Sequence, residues 1–300
     1  MLIARLIAEQ ETLGDNLSLA MEMIEARGWE VAGAGMLETS DIVLELELIE
    51  GTDAPQVADV RRILDQCFPV CDLLLSRSAM AIPRLFVSDM DSTMIDAECI
   101  DELADFAGIK PQIVAITERA MRGELDFEAA LRERVALLKG LPEDAIRQCL
   151  DESIHPMPGA RTLVATLKAL GCHTVLVTGG FHAFADPVGL QLGFDRVLAN
   201  GLGLHDGALT GEVVGGIVDS AVKRKVLLEE AARLGEGATS LATGDGANDI
   251  PMLEAATLGL AYRAKPKARA AADGWIERGD LTAILDLFGI ARAEWVVGTE

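Results

Sequence analysis

The chain has 300 residues, half of them hydrophobic, and a formal net charge of −22. That length buries a large core and leaves room for two or three structural units. The charge argues against a nucleic-acid partner, because proteins that grip a phosphate backbone present basic patches that release counterions. Cys67, Cys71, Cys99, Cys149 and Cys172 are odd in number, and none form a CxxC pair, so inert reduced thiols are expected. The opening MLIARLIAEQETLGD meets acids too early for a signal peptide. No run approaches the ~20 apolar residues that cross a bilayer, and the expectation is a cytoplasmic protein without a membrane partner.

In chain order, LIARLIA reads as a strand, about Asn16 to Arg27 as a helix, and Val31 to Leu37 and Ile42 to Ile49 as strands. A helix from about Pro55 to Gln66 and a strand from Val70 to Leu75 complete a βαββαβ succession. That is the split βαβ, ferredoxin-like plan. The alternation in Leu44-Glu45-Leu46-Glu47-Leu48 suits an antiparallel strand with one wet face. Pro83 marks a boundary. Beyond it, Leu85 to Ser88, Thr174 to Val177, Arg196 to Leu198, Thr239 to Ala242 and Leu258 to Ala261 are apolar runs separated by helical stretches. Such runs predict an α/β, doubly wound parallel sheet of Rossmann type, covered on both faces. The stretch from about Asp96 to His155 carries helices only and reads as a cap inserted after the first of these strands. The expected division is residues 1–80 for the front domain, 81–95 with 156–300 for the core, and 96–155 for the cap. Asp206-Gly207, between two short apolar runs, predicts a hairpin.

Four polar clusters follow the apolar strands, and ligands of open parallel sheets bind at the carboxyl ends of strands. Asp89-Met90-Asp91-Ser92-Thr93 sends two carboxylates out of a strand end, where a cation would keep both ionised. One can then attack as a nucleophile while its neighbour exchanges protons. Taken alone, the same residues would also serve as a turn or helix cap. Thr178-Gly179-Gly180 offers a hydroxyl and backbone N–H groups that can approach an anion closely. Lys223, at the front of a helix, can neutralise a transferring phosphoryl group, with Arg224 and Lys225 as close competitors. Gly244-Asp245-Gly246-Ala247-Asn248-Asp249 supplies acids and an amide in a glycine-rich turn suited to oxygen ligation of Mg²⁺. Each cluster alone has a bland structural reading; four such turns at strand ends together point to chemistry.

In order and content, these clusters resemble the signature motifs of the haloacid dehalogenase superfamily. That resemblance implies Asp89 as nucleophile, Asp91 as general acid and base, and Thr178 with Gly179, Gly180 and Lys223 around the phosphate. It implies Mg²⁺ held by the carboxylates of Asp89 and Asp245 and by the Asp91 main-chain carbonyl, with Asn248 contacting phosphate. From about Pro83 to Gly289 the match narrows: DMDST, Glu98 at its distance downstream, and the segment MRGELDFEAALRERVALLK resemble the phosphoserine phosphatases. The resemblance implies that Glu98 receives a substrate amine, Arg134 grips its carboxylate, and Met121 and Phe127 shield the site. A zwitterion requires such an acid, such a guanidinium and a dry cover. Thr178 stands where that family usually carries serine, adding a methyl to the site. The expected activity is hydrolysis of phosphoserine in serine biosynthesis. A phosphotransferase, a phosphatase for another small phosphomonoester, and an inactive amino-acid sensor are the alternatives. The front domain resembles ACT-like regulatory domains, which leaves a place for an amino-acid effector, and a homodimer is open.

Overall fold

The computed structural model describes residues 1–51 and 56–297, and at Met121 the backbone alone. The expected helix start at Pro55 lies outside the described residues. The front unit contains β1 (Leu2–Ile7), α1 (Leu13–Glu25), β2 (Trp29–Met36), β3 (Leu44–Glu50), α2 (Val57–Cys67) and β4 (Asp72–Ser76). Its strands lie in the order β2-β3-β1-β4 with every neighbour antiparallel, as a split βαβ unit requires. Leu44, Leu46 and Leu48 of β3 are buried on one face, packed with Ile24 of α1 and Val60, Ile63 and Leu64 of α2. The glutamates between them face away, so the alternation sets which face the helices cover.

The rest of the chain starts with β5 (Leu85–Ser88) and then four successive helices, α3 (Cys99–Phe106), α4 (Lys110–Met121), α5 (Phe127–Ala136) and α6 (Glu143–Ser153). It continues through α7 (Ala160–Ala169), β6 (His173–Phe181), α8 (His182–Leu192), β7 (Arg196–His205), β8 (Ala208–Val214) and α9 (Ser220–Leu234). β9 (Ser240–Gly244), α10 (Ile250–Ala255), β10 (Leu258–Tyr262), α11 (Pro266–Ala271), β11 (Gly274–Ile276) and α12 (Ala283–Leu287) complete it. β11, β10, β9, β5, β6 and β7 form a parallel run in that spatial order. β5, β9 and β10 are buried along their whole length, as expected of strands covered on both faces. β5 lies between β6 and β9, so the order reverses there and opens a crevice at the strand ends.

The two chain crossings into the four-helix segment run side by side. Ile95 bridges Pro156, Asp96 N–H donates to the His155 carbonyl at 3.0 Å, and Met157 N–H donates to the Met94 carbonyl at 2.8 Å. β7 and β8 form the expected hairpin, with Asp206 and Gly207 both at positive φ (50° and 75°), as a tight hairpin turn demands. The hairpin braces the helical segment: Glu143 N–H donates to the Gly207 carbonyl at 2.9 Å and Gly140 N–H to the Leu209 carbonyl at 2.8 Å. Among the described residues, no helix is long and apolar enough to cross a membrane. All five cysteines are buried free thiols.

Two features differ from expectation. Thr178, Gly179 and Gly180 continue β6 rather than turning out of it, while the pairing with β7 slips between Val177 and Phe181. The Asn200 side chain fills the slip, donating to the Gly179 carbonyl at 2.7 Å and accepting the Val218 N–H at 2.8 Å. The second feature is that the boundary at Pro83 does not divide the sheet. β4 pairs antiparallel with β11, joining both units into one sheet of 11 strands. Only glycine permits this approach, since a Cβ on Gly274 would lie 2.0 Å from the Leu73 carbonyl oxygen. The buried Asp72 carboxylate fastens the seam by accepting the N–H groups of Glu277 (2.8 Å), Arg278 (2.7 Å) and Gly279 (3.0 Å). Trp275 Nε1 donates to the Cys71 carbonyl at 2.9 Å, and the Arg269 guanidinium lies 3.7 Å over the Trp275 ring. Replacing Asp72 by alanine strands those donors away from water, so urea unfolding of Asp72→Ala is expected to show a loss of roughly 2–4 kcal/mol.

Candidate active site

Three strand ends and one helix start supply the polar groups. Asp89 follows β5, is 3% exposed, and is fixed by its N–H donating to the Thr243 carbonyl at 3.0 Å. Its Oδ1 also accepts the Met90 N–H at 2.8 Å. Asp245 follows β9, and Asp249 closes the turn by accepting the Gly246 N–H on Oδ2 at 3.0 Å. The glycines here are sterically required, because a Cβ on Gly244 would sit 2.4 Å from Asp249 Cγ.

One oxygen from each of Asp89, Asp245 and Asp249 lies within 4.8 Å of the others, and all three side chains are buried. Asp89 and Asp245, expected to share one ion, therefore converge. Lys223, in the first turn of α9, is 1% exposed; its ammonium stands 2.6 Å from Asp89 Oδ1 and 2.8 Å from Asp249 Oδ1. Arg224 and Lys225 point to solvent, which decides among the three basic candidates. Burial, and then the neighbouring Asp249, push the Asp89 pKa well above the usual carboxylate range against the pull of Lys223. Burial alone would lower Lys223, but Asp89 and Asp249 outweigh it and hold the ammonium charged. The donor set is hard oxygen, and the like charges that help raise Asp89 are what a divalent ion relieves, so the residues fit a hard divalent cation.

Asp91 keeps its carboxylate outside this cluster. Its Oδ1 accepts the Cys99 N–H at the start of α3 at 3.3 Å, and burial raises its pKa. Thr178 Oγ1 accepts the Gly180 N–H at 2.9 Å, while a Cβ on Gly180 would meet Asp91 Oδ2 at 3.0 Å. Phe127 covers Gly179, its Cζ 3.3 Å from where a Cβ there would be. Facing the strand ends across a cavity of about 180 Å³ are Glu98, Phe127 and Arg134, with Asn248 and Lys265 also on its wall. The Arg134 Nε donates to the Ala130 carbonyl at 3.3 Å, and among the described residues no carboxylate is ion-paired with it. Glu98 reaches solvent at the cavity mouth, yet surrounding protein, and then Asp91, raise its pKa to about 7. The Met121 side chain lies outside the described residues.

Sequence reasoning did not single out three residues that the structure brings here. Asp249 lay in the same glycine-rich turn as Asp245 and Asn248 and was given no role of its own. Ser92 has a left-handed backbone (φ 54°) and its Oγ donates to Glu98 Oε1 at 3.0 Å. Lys265 arrives from the loop after β10, and no local pattern signals it.

A family model of haloacid dehalogenase-like hydrolases matches residues 86–254, and the chain belongs to that family. A phosphoserine phosphatase of Albidiferax ferrireducens is 47% identical over 211 residues, covering 68% of this chain and 89% of the relative. The chain thus belongs, within those hydrolases, to the phosphoserine phosphatase family. A phosphoserine phosphatase of Mycobacterium tuberculosis is also 47% identical over 212 residues, but this chain spans only 52% of its length. The solved structure of a probable phosphoserine phosphatase from Vibrio cholerae, in unliganded form, aligns over 98% of this chain and 88% of its own, with a TM-score of 0.74 at 32% identity.

Lys223→Met would leave Asp89 and Asp249 buried without their shared counter-charge, at a cost of about 3–5 kcal/mol. Protonating a carboxylate whose folded pKa is raised relieves that repulsion. The loss measured by urea unfolding is therefore expected to be larger at pH 8 than at pH 5.

Proposed function

We propose that the chain hydrolyses O-phospho-L-serine to serine and phosphate with Mg²⁺, the step that completes serine synthesis. The observation that carries this reading is one cavity with two unlike ends. A buried acid cluster with its lysine lies at the strand ends, and an acid and a guanidinium that has no ion pair among the described residues face it from the helical segment. That arrangement matches a phosphate at one end of a small molecule and an ammonium and carboxylate at the other.

Asp89 attacks phosphorus in line, forming the Asp89 O–P bond as the bond from phosphorus to the serine oxygen breaks. Asp91, raised by burial and therefore suited to carrying a proton, gives that proton to the departing alkoxide. Asp91 then takes a proton from water, whose oxygen attacks the phospho-aspartate, releasing phosphate and restoring Asp89. Lys223, the Gly179 N–H and the Thr178 hydroxyl, its oxygen aligned by the Gly180 N–H, stabilise charge on the phosphoryl oxygens, with Asn248 beside them. The Asp89, Asp245 and Asp249 carboxylates and the Asp91 main-chain carbonyl would hold Mg²⁺, which when bound neutralises the cluster and the transferring group. Glu98, kept in place by Ser92, takes the substrate ammonium and Arg134 the carboxylate, while Phe127, with Met121, excludes water.

The roles divide as front domain (1–80), core (81–95 and 156–300) and cap (96–155). The front domain is the place for an amino-acid effector or a second copy of the chain. The acidic balance and five unpaired thiols support a cytoplasmic setting.

Asp89→Asn is expected to abolish phosphate release from phosphoserine while circular dichroism stays native; near-normal turnover would refute the assignment. Protonation of Glu98 removes its attraction for an ammonium, so binding should weaken as pH falls through about 7. The KM of the parent chain should therefore rise several-fold from pH 8 to pH 6 relative to Glu98→Gln, whose KM starts high. Taking that ratio cancels the substrate's own ionisation.

A further inference from the structure

A second ammonium stands beside the proposed ion site. Lys265 precedes α11, where its main-chain N–H donates to the Asp245 carbonyl at 2.9 Å and its Nζ lies 3.1 Å from Asp245 Oδ2. It differs from Lys223 in the freedom of its side chain. The Lys223 side chain is 1% exposed and locked between two carboxylates, whereas that of Lys265 is 67% exposed and, among the described residues, ion-paired with Asp245 alone. Burial pulls the Lys265 pKa down, but Asp245 outweighs it and keeps the group charged. Asp245 is also one of the three carboxylates whose oxygens converge for a cation. A positive charge on that carboxylate opposes an arriving ion through direct Coulomb repulsion and by engaging its oxygen. In the absence of the ion, the same charge offsets the mutual repulsion of the buried acids.

We propose that Lys265 is a tethered competitor for the divalent ion, holding Asp245 when the ion is absent and yielding when it arrives. This inference rests on the reading of the acid cluster as an Mg²⁺ site. The main-chain hydrogen bond fixes residue 265 while its side chain swings into solvent, so the exchange needs no movement of the fold. Lys265 acts on the ion through Asp245 and is a positioning residue.

The test compares the parent chain with Lys265→Met and Lys265→Arg by calorimetric titration with Mg²⁺ at fixed pH and ionic strength. Methionine keeps an unbranched side chain only one atom shorter and the main-chain anchor while removing the charge. Lys265→Met should bind Mg²⁺ more tightly, by on the order of tenfold. Its thermal midpoint in chelator should fall, and the upward shift on adding Mg²⁺ should grow. Lys265→Arg should return the affinity to within about threefold of the parent, since it restores the charge. A lysine that merely props Asp245 in place gives the opposite result, weaker binding in Lys265→Met. Unchanged or weaker binding there overturns the inference and leaves the ion site standing. Failure of the parent chain to bind Mg²⁺ overturns both.

Discussion

The buried ammonium of Lys223 touches Asp89 on one side and Asp249 on the other, and the geometry of the site follows from keeping those charges together out of water. An isolated carboxylate in such a place would give up its charge rather than stay ionised. Here one lysine joins the end of β5 to the turn after β9, two segments far apart in sequence, while Asp245 adds a further negative charge. The cluster is therefore short of positive charge by construction, and both the proposed divalent ion and the proposed role of Lys265 rest on that deficit.

How much of this was legible in the sequence depends on how local each signal was. Asp89, Asp91, Thr178 and Asp245 stood out because each follows an apolar run, and the end of a buried parallel strand is where polar groups gather. Lys223 was legible only by its place in the order of motifs, since Arg224 and Lys225 are equally basic and only burial separates them. Asp249 stood in its turn but was not singled out, because nothing local separates it from Asp245 as the acid that reaches Lys223. The extension of β6 through two glycines was hidden because glycine next to a strand usually signals a turn, and the contact that holds it straight comes from distant Asn200. β11 has three residues and no alternation, and its pairing with β4 joins positions about two hundred apart. No local pattern encodes such a pairing.

The division of labour within the cavity follows chain topology. Groups at the strand ends are pinned by sheet hydrogen bonds, so their spacing is set by the ladder. Groups opposite them ride on α3 and α5, which join the rest through two adjacent crossings at Ile95 and Pro156. In the proposed reading, chemistry would sit on the sheet side, and recognition of the remaining substrate on the side with fewer attachments. The hairpin of β7 and β8 limits that freedom by supporting the loop before α6.

The shared seam also bears on how the protein can be shortened. In the intact chain β11 is an interior strand, hydrogen-bonded on both edges. A fragment starting at Pro83 would turn it into a bare margin beside Trp275, with its own polar groups and the amides of residues 277–279 left unpartnered. Unprotected margins of that kind recruit other chains. The fragment from Pro83 onward, cut free, would be expected to associate with copies of itself, a consequence of the missing neighbour rather than of its own surface.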